Sequence, residues 1–331
     1  MRAITYHRYG SPDVVGLEDV ETPTPVADEI LVRVHASVMT PSDGAARKGE
    51  PFLIRVMGGL RRPKQPILGS EIAGQVEAVG SAVTRFAPGD RVFAATGDTF
   101  GAHAQYVVLP EDGAVEAMPD EASYEQAVAL AEGPMTAAPF LRDSGHIQPG
   151  QHVLINGASG SVGSAAVQLA KHFGAEVTGV TSTRNVELVR SLGADHVIDY
   201  TQEDFTTARG AYDIVFDVVS KSSFSRSKGA LKDGGTYLDT YPSLSTVAAM
   251  LWTSRIGSKR AVFAATGLRK PAQKRPDLRL FKRLFEAGEL TTVIDRRYPM
   301  EQAAEAHRYV DTGRKQGNVI LEMAGEGSAP A

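Results

Sequence analysis

The segment VLINGASGSVGSAAVQLAKHFGAEVTGV, Val153 to Val180, restricts the fold more than any other part of the chain. An apolar strand runs into closely spaced glycines, then a helix, then a second apolar strand. The backbone must reverse tightly after Ile155, and Gly157, Gly160 and Gly163 remove the side chains that would keep main-chain amides and a helix start away from a pyrophosphate. Behind them Val162, Ala165, Ala166, Leu169, Ala170 and Phe173 form one apolar stripe, the spacing a helix needs to pack on a sheet, and Gly174 is placed to end it. The spacing is GxxGxxG, a variant of the usual GxGxxG fingerprint, but it stands in the required strand, turn and helix context. The segment predicts a dinucleotide-binding βαβ unit, with Gly157, Ala158, Ser159, Gly160, Ser161, Val162 and Gly163 against the cofactor. The plainer alternative is a glycine-rich turn in a purely structural βαβ unit.

The end of the second strand indicates which dinucleotide. An NAD site usually places an Asp or Glu about 20 residues past the first glycine to hold the ribose hydroxyls, whereas a site for the phosphorylated cofactor offers a cation. No carboxylate lies between Glu176 and Glu187, and the strand runs out into Thr181, Ser182, Thr183 and Arg184. A guanidinium can donate two parallel hydrogen bonds to a phosphate, so Ser182, Thr183 and Arg184 point to NADPH rather than NADH. The alternative, an Arg184 that merely decorates a helix N-terminus, places a cation poorly against the helix dipole.

At 331 residues the chain is long for one core, so two domains are expected. A formal net charge of -4 gives no general attraction to nucleic acid or anionic membrane. No apolar run approaches a membrane span, and the opening MRAITYHRYG reads as strand rather than signal peptide. With no cysteine there is neither disulfide nor thiolate ligand, which fits a cytoplasmic location.

Before about residue 125 the pattern is short β-type runs (Ile30 to Val34, Ile72 to Val79, Arg91 to Ala94, Tyr106 to Leu109) broken by Pro and Gly. From Ser123 it becomes alternating helices and strands, with a helix over Asn185 to Leu192 and strands over His196 to Asp199, Asp213 to Val219 and Thr236 to Thr240. Such alternation builds a doubly wound parallel sheet, an α/β class fold. Near the end, Val293 to Pro299 and Asn318 to Leu321 read as strands around a helix at Glu301 to Val310, and Gly325 to Ala331 reads as a loose tail.

The ordered motifs LGSEIAGQVEAVGSAVTRFAPGDRVF (Leu68 to Phe93), AHAQYVVLP (Ala102 to Pro110), GASGSVG (Gly157 to Gly163), SLGADHVIDY (Ser191 to Tyr200), YDIVFDVV (Tyr212 to Val219) and GNVIL (Gly317 to Leu321) resemble the medium-chain dehydrogenase/reductase superfamily. Within it the chain is most similar to the zinc-independent, zeta-crystallin-like quinone oxidoreductases. The resemblance covers nearly the whole chain. It implies a GroES-like β domain, residues 1–124 and 293–331, completed by the C-terminal segment, with a Rossmann NADP-binding domain, 125–292, inserted between.

The same resemblance allows candidate metal ligands to be checked. Where zinc alcohol dehydrogenases carry a Cys, this chain has about Thr40, and their His-Glu pair reads Ser70-Glu71. The structural-zinc lobe would fall near Ala95 to Gly101, where ATGDTFG has no suitable donor. Catalytic zinc needs three protein ligands, and Glu71 alone cannot make a site. The eight histidines are scattered without ligand spacing, so no metal is expected.

Without a Lewis acid, a simple ketone is a poor hydride acceptor, whereas a quinone or conjugated enone spreads the developing charge itself. The resemblance therefore implies NADPH-dependent hydride transfer to a small-molecule quinone or enone. The proton donor is less evident. The family loop written here VMTPSDGAARKG commonly has Asn at Thr40, and some members have Tyr at Ala45. Thr40 is an expected catalytic hydrogen-bond donor, and Asp43 an expected loop anchor with a catalytic alternative. Tyr241 follows the fifth sheet strand, where a phenol can reach a ligand as general acid or only fill space. Further cofactor contacts implied by position are Thr136, Tyr200, Val219, Thr240, Phe263, Ala264, Ala265 and Asn318. Trp252, Arg255, Arg269 and Lys270 either select a substrate or cover the surface. The family's tendency to form dimers implies a homodimer. Two other functions remain open: a cofactor-binding structural or regulatory protein with little turnover, and an alcohol or aldehyde reductase.

Overall fold

The computed structural model describes residues 1–241 and 243–323. The tail expected at Gly325 to Ala331 lies outside the described residues. The chain divides into two compact units: residues 1–132, 268–286 and 293–331 in the first, and 133–267 with 287–292 in the second.

In the first unit the strand Glu29–Met39 is the centre of a seven-stranded sheet, pairing antiparallel with Glu71–Val79, Tyr106–Pro110 and Asn318–Glu322. Its β-branched residues Ile30, Val32 and Val34 are buried together with Ile72, Val76, Val92, Val107, Val319 and Leu321, which is the apolar face that holds the sheet. The C-terminal strand thus returns to the first strands of the chain. It is reached by a crossover: Ile294–Pro299, the helix Ala303–Asp311, then Asn318–Glu322 parallel to the first. The helix Pro271–Glu286 also belongs to this unit, although the sequence boundary assigned 125–292 to the Rossmann segment. It buries Leu278, Phe281 and Leu284, its Arg279 Nε meets Glu116 Oε2 at 2.6 Å, and Lys282 Nζ donates to Met118 O at 2.8 Å. Its apolar residues recur at helical spacing, which does not by itself say which sheet covers them.

The second unit is a six-stranded, wholly parallel sheet of β1 (His152–Asn156), β2 (Glu176–Thr181), β3 (His196–Asp199), β4 (Tyr212–Asp217), β5 (Leu231–Asp239) and β6 (Arg260–Phe263). Its spatial order is β3-β2-β1-β4-β5-β6, so the order reverses at β1, the switch point outside which open α/β sheets bind ligands. Helix α1, Ser161–His172, connects β1 to β2. Its residues 161–170 are buried apart from Val162, which is partly covered, and the helix reaches the surface at Lys171 and His172. Gly174, at φ +81°, ends it: its N–H donates to Lys171 O at 2.9 Å and Ala175 N–H to Ala170 O at 3.0 Å, the paired bonds of a glycine-terminated helix.

Candidate cofactor seat

The three glycines of the β1–α1 turn serve three different purposes. Gly157 has φ +89°, and a side chain there would stand 2.5 Å from Val219 Cγ1. Gly163 lets helix and turn close together, since a Cβ would lie 2.1 Å from Gly157 O. Gly160 is different: it has ordinary extended angles (φ -79°, ψ 177°), and an added Cβ would meet nothing nearer than Gly157 O at 3.6 Å. Protein packing does not require a glycine at 160. Gly160 is also the N-cap of α1, with no side chain capping the helix, so the first helical amides and the positive end of the helix dipole face the space it leaves open. That is the arrangement a pyrophosphate needs.

The turn is locked to β2. Gly157 N and Ala158 N both donate to Val180 O at 3.0 Å. Ser159 Oγ accepts from Thr181 Oγ1 and from Asn185 Nδ2, each at 2.9 Å, so the Ser159 hydroxyl ties the turn to the end of β2. Beyond β2, Ser182 is half-buried and Thr183 and Arg184 are exposed in a short 3-10 turn. Tyr200 follows β3, is exposed, and its N–H donates to Thr181 O at 3.0 Å. Val219 and Tyr241, each 45% exposed, follow β4 and β5. Thr240 Oγ1 donates to Val218 O at 3.2 Å. Two buried carboxylates hold these loops. Asp217 accepts from Ser222 N–H at 2.7 Å and Val219 N–H at 3.3 Å, and Asp239 accepts from Tyr241 N–H at 3.0 Å and Thr246 Oγ1 at 2.6 Å. Phe263 ends β6, followed by Ala264, whose carbonyl accepts from Thr266 N–H at 3.0 Å, and by exposed Ala265. The carboxyl edge of one sheet therefore carries Gly157 to Gly163, Ser182 to Arg184, Tyr200, Val219, Thr240, Tyr241 and Phe263 to Ala265. Thr136 lies half-buried on the helix Tyr124–Pro139. One residue that sequence reasoning did not place here is Asp199, the last of β3, whose carboxylate accepts from Thr183 Oγ1 at 2.6 Å. Its signal was present in SLGADHVIDY, but only the strand order makes its end a neighbour of the β2 end.

Thr40 and Asn318 belong to the other unit, where the Thr40 hydroxyl and the Asn318 amide nitrogen have partners, while Asn318 Oδ1 is buried without one. Thr40 caps the helix Pro41–Lys48: its Oγ1 donates to Asp43 Oδ2 at 2.6 Å and accepts from Asp43 N–H at 3.2 Å. Asp43 also accepts from Thr40 N–H at 2.8 Å and Gly69 N–H at 3.1 Å, so it anchors the loop. The Thr40 hydroxyl proton is thus held by Asp43, which conflicts with its expected role as donor to a substrate or nicotinamide. Asn318 is buried, with Nδ2 donating to Val293 O at 3.0 Å, which turns its amide toward its own sheet. Below the cap, burial pushes the His307 imidazole down to about 3 despite the opposing charge of Asp43. Glu71 is pushed well above the usual carboxylate range by burial, then by the neighbouring Glu132 and Asp43. A single buried carboxyl group, a capping hydroxyl and Ser70 are a poor ligand set for zinc, and among the described residues no three His, Cys, Asp or Glu side chains gather as metal ligands would.

Comparisons with known proteins agree with this architecture. Residues 26–120 match the family described as alcohol dehydrogenase GroES-like domain, and residues 192–321 match the one described as zinc-binding dehydrogenase. The chain is 32% identical to a quinone-oxidoreductase homolog, chloroplastic, of Spinacia oleracea, over 97% of this chain and 98% of that one. It is 30% identical to an NADPH-dependent alkenal/one oxidoreductase, chloroplastic, of Arabidopsis thaliana, over 97% of this chain and 79% of the relative. The solved quinone oxidoreductase of Coxiella burnetii superposes with a TM-score of 0.86 at 27% identity, covering 98% of this chain and 99% of that one. From β-domain motif to C-terminal strand, the chain belongs to the zeta-crystallin-like quinone oxidoreductase family of the medium-chain dehydrogenase/reductase superfamily.

Proposed function

We propose that this protein is an oxidoreductase that uses NADPH to reduce a quinone or a conjugated alkene without zinc. The observation that carries the reading is Gly160, open to space at an uncapped helix start, which leaves room for a ligand rather than for protein. The names of the relatives support the substrate class and the cofactor. When bound, NADPH supplies a hydride. The main chain of residues 158–161 and the N-terminus of α1 hold the pyrophosphate, and Ser182 and Arg184 hold the 2′-phosphate. Gly157 to Gly163 and the loops fixed by Asp217 and Asp239 form this seat.

Because Thr40 is committed to Asp43, the proton for an enone is assigned to Tyr241, whose ring is partly exposed at the end of β5. Reduced quinone oxygens take protons from water and need no such donor. The reading also includes a small-molecule substrate, a homodimer and a cytoplasmic location; among the described residues no helix is long and apolar enough to cross a membrane. The test is a panel of quinones, enones and aldehydes with NADPH, together with direct NADPH titration. Binding with turnover of quinones or enones is expected. Tight binding with no turnover of any of them would transfer support to a cofactor-binding protein of little activity, and aldehydes alone would overturn the substrate class.

A further inference from the structure

Strand β3 lies on β2 in parallel register with Asp199 opposite Thr181, so the Asp199 carboxylate ends level with the residue that leads into the Ser182 to Arg184 turn. Asp199 Oδ2 accepts the Thr183 hydroxyl proton at 2.6 Å, and Oδ1 accepts that of Thr201 at 2.8 Å. Thr201 N–H and Gln202 Nε2 donate to it as well, at 3.0 Å and 2.9 Å. These bonds, the one from Thr183 foremost, hold the Asp199 carboxyl below the usual range, so it is ionised at neutral pH.

A hydroxyl has one proton. Thr183 and Thr201 direct theirs at Asp199, and toward a ligand they therefore present lone pairs. The oxygens of a phosphate dianion are acceptors and bear like charge to Asp199, whereas a ribose 2′-hydroxyl can donate. Thr183, Asp199 and Thr201 together suit the ribose hydroxyl and oppose the phosphate in both charge and hydrogen-bond polarity. Arg184, one residue from Thr183, acts in the opposite sense.

We infer that Asp199 is a specificity-determining residue of the adenosine subsite: it lowers the preference of this chain for NADPH over NADH by its charge and by holding the Thr183 hydroxyl as an acceptor. The inference rests on the reading of this edge as an NADP seat. Two consequences separate it from a simple packing role. Asp199→Asn tightens NADPH about three- to tenfold at low ionic strength, the size of one screened like-charge contact near a surface, and changes NADH by less than about threefold. Thr183→Ala alone changes NADPH affinity by less than about twofold, because the hydroxyl does not reach the phosphate, but in the Asp199→Asn background it weakens NADPH by about threefold or more.

The experiment is fluorescence titration of the full chain, in both single variants, the double variant and the unmodified protein, with NADPH and with NADH, at low and high salt. A rise in the NADPH-to-NADH affinity ratio in Asp199→Asn, shrinking with salt, together with non-additivity of the two substitutions, supports the assignment. An unchanged ratio in a variant that melts at the unmodified temperature overturns it while leaving the cofactor seat intact, as does a Thr183→Ala effect of equal size in both backgrounds. Failure of the unmodified protein to bind either nucleotide would instead overturn the seat itself, and this assignment with it.

Discussion

Gly160→Ala separates a ligand-driven glycine from a fold-driven one. A Cβ at 160 meets only Gly157 O, at 3.6 Å, with φ -79°, so the protein has space for a methyl group. The expected stability cost is that of replacing a glycine N-cap by alanine, about 1 kcal/mol or less, which for a unit of this size lowers Tm by about 2–4 °C. The methyl group nevertheless occupies the approach to the α1 amides. Displacing a phosphate from one charged hydrogen bond costs about 1.5–3 kcal/mol, or roughly ten- to a hundredfold in Kd for NADPH. Gly163→Ala is the contrast. Its Cβ would stand 2.1 Å from Gly157 O and 2.8 Å from Ala158 Cα, both main-chain atoms, so the turn must move. Overpacking of this kind costs about 1–3 kcal/mol or more, so its melting temperature falls well below that of Gly160→Ala. Thermal melts and nucleotide titration on the two variants check the pair. Unchanged NADPH affinity in a well-folded Gly160→Ala would refute the placement of the pyrophosphate.

Four further outcomes are expected. Arg184→Ala weakens NADPH by roughly ten- to a hundredfold and spares NADH, as titration of both will show; equal losses would remove Arg184 from the 2′-phosphate site. Tyr241→Phe lowers the enone reduction rate by about a hundredfold or more and quinone reduction far less, and equal effects on both would reject it as the proton donor. Elemental analysis finds no stoichiometric zinc, and activity survives a chelator; one zinc per chain with loss of activity on its removal would reverse the substrate class. His307 is held neutral in the fold at about 3, so its contribution is complete above the ordinary histidine value of about 6.5 and is lost as pH falls from there toward about 3. His307→Gln should therefore remove about 2 kcal/mol of the stability difference between pH 7 and pH 5, measured by denaturant unfolding, and an unchanged difference would show that another group carries it.

The parts of this protein legible in its sequence are those written in local periodicity. The β1–turn–α1–β2 unit, the helix stop at Gly174 and the strand runs around Ile72 and Val92 follow from spacing alone, because each is fixed within a few residues. The proposed adenosine subsite was legible only in part. Ser182 to Arg184 could be read as a phosphate turn, but Asp199 stands 16 residues from Thr183 in the chain and reaches it only because β3 pairs with β2 in register. At Thr40 two local signals compete. T-x-x-D before a helix is itself a capping signal, and the chemistry suggested by position concealed the hydrogen bonds that the local sequence demands. Asn318 shows the same competition, its side chain being needed to tie a strand end to Val293.

The carboxyl edge of the second sheet is held by charges that the periodicity does not announce. Taking a carboxylate out of water costs several kcal/mol unless hydrogen bonds replace its hydration. Asp217, fully buried, meets that condition through Asn156 Nδ2 at 2.9 Å and the Tyr237 hydroxyl at 3.0 Å as well as the main chain of the loop that follows β4. Asp239 does the same for the loop after β5, through Tyr241 N–H and the Thr246 hydroxyl. At Val219 and at Tyr241 the bond to the carboxylate comes from the main-chain N–H, so it does not depend on which side chain projects there. Val219 and Tyr241 stand on loops of this kind. On the proposed reading, the residue at 241, a phenol here, can therefore be exchanged without disturbing the glycine turn after β1, so a change of proton donor leaves the cofactor seat in place.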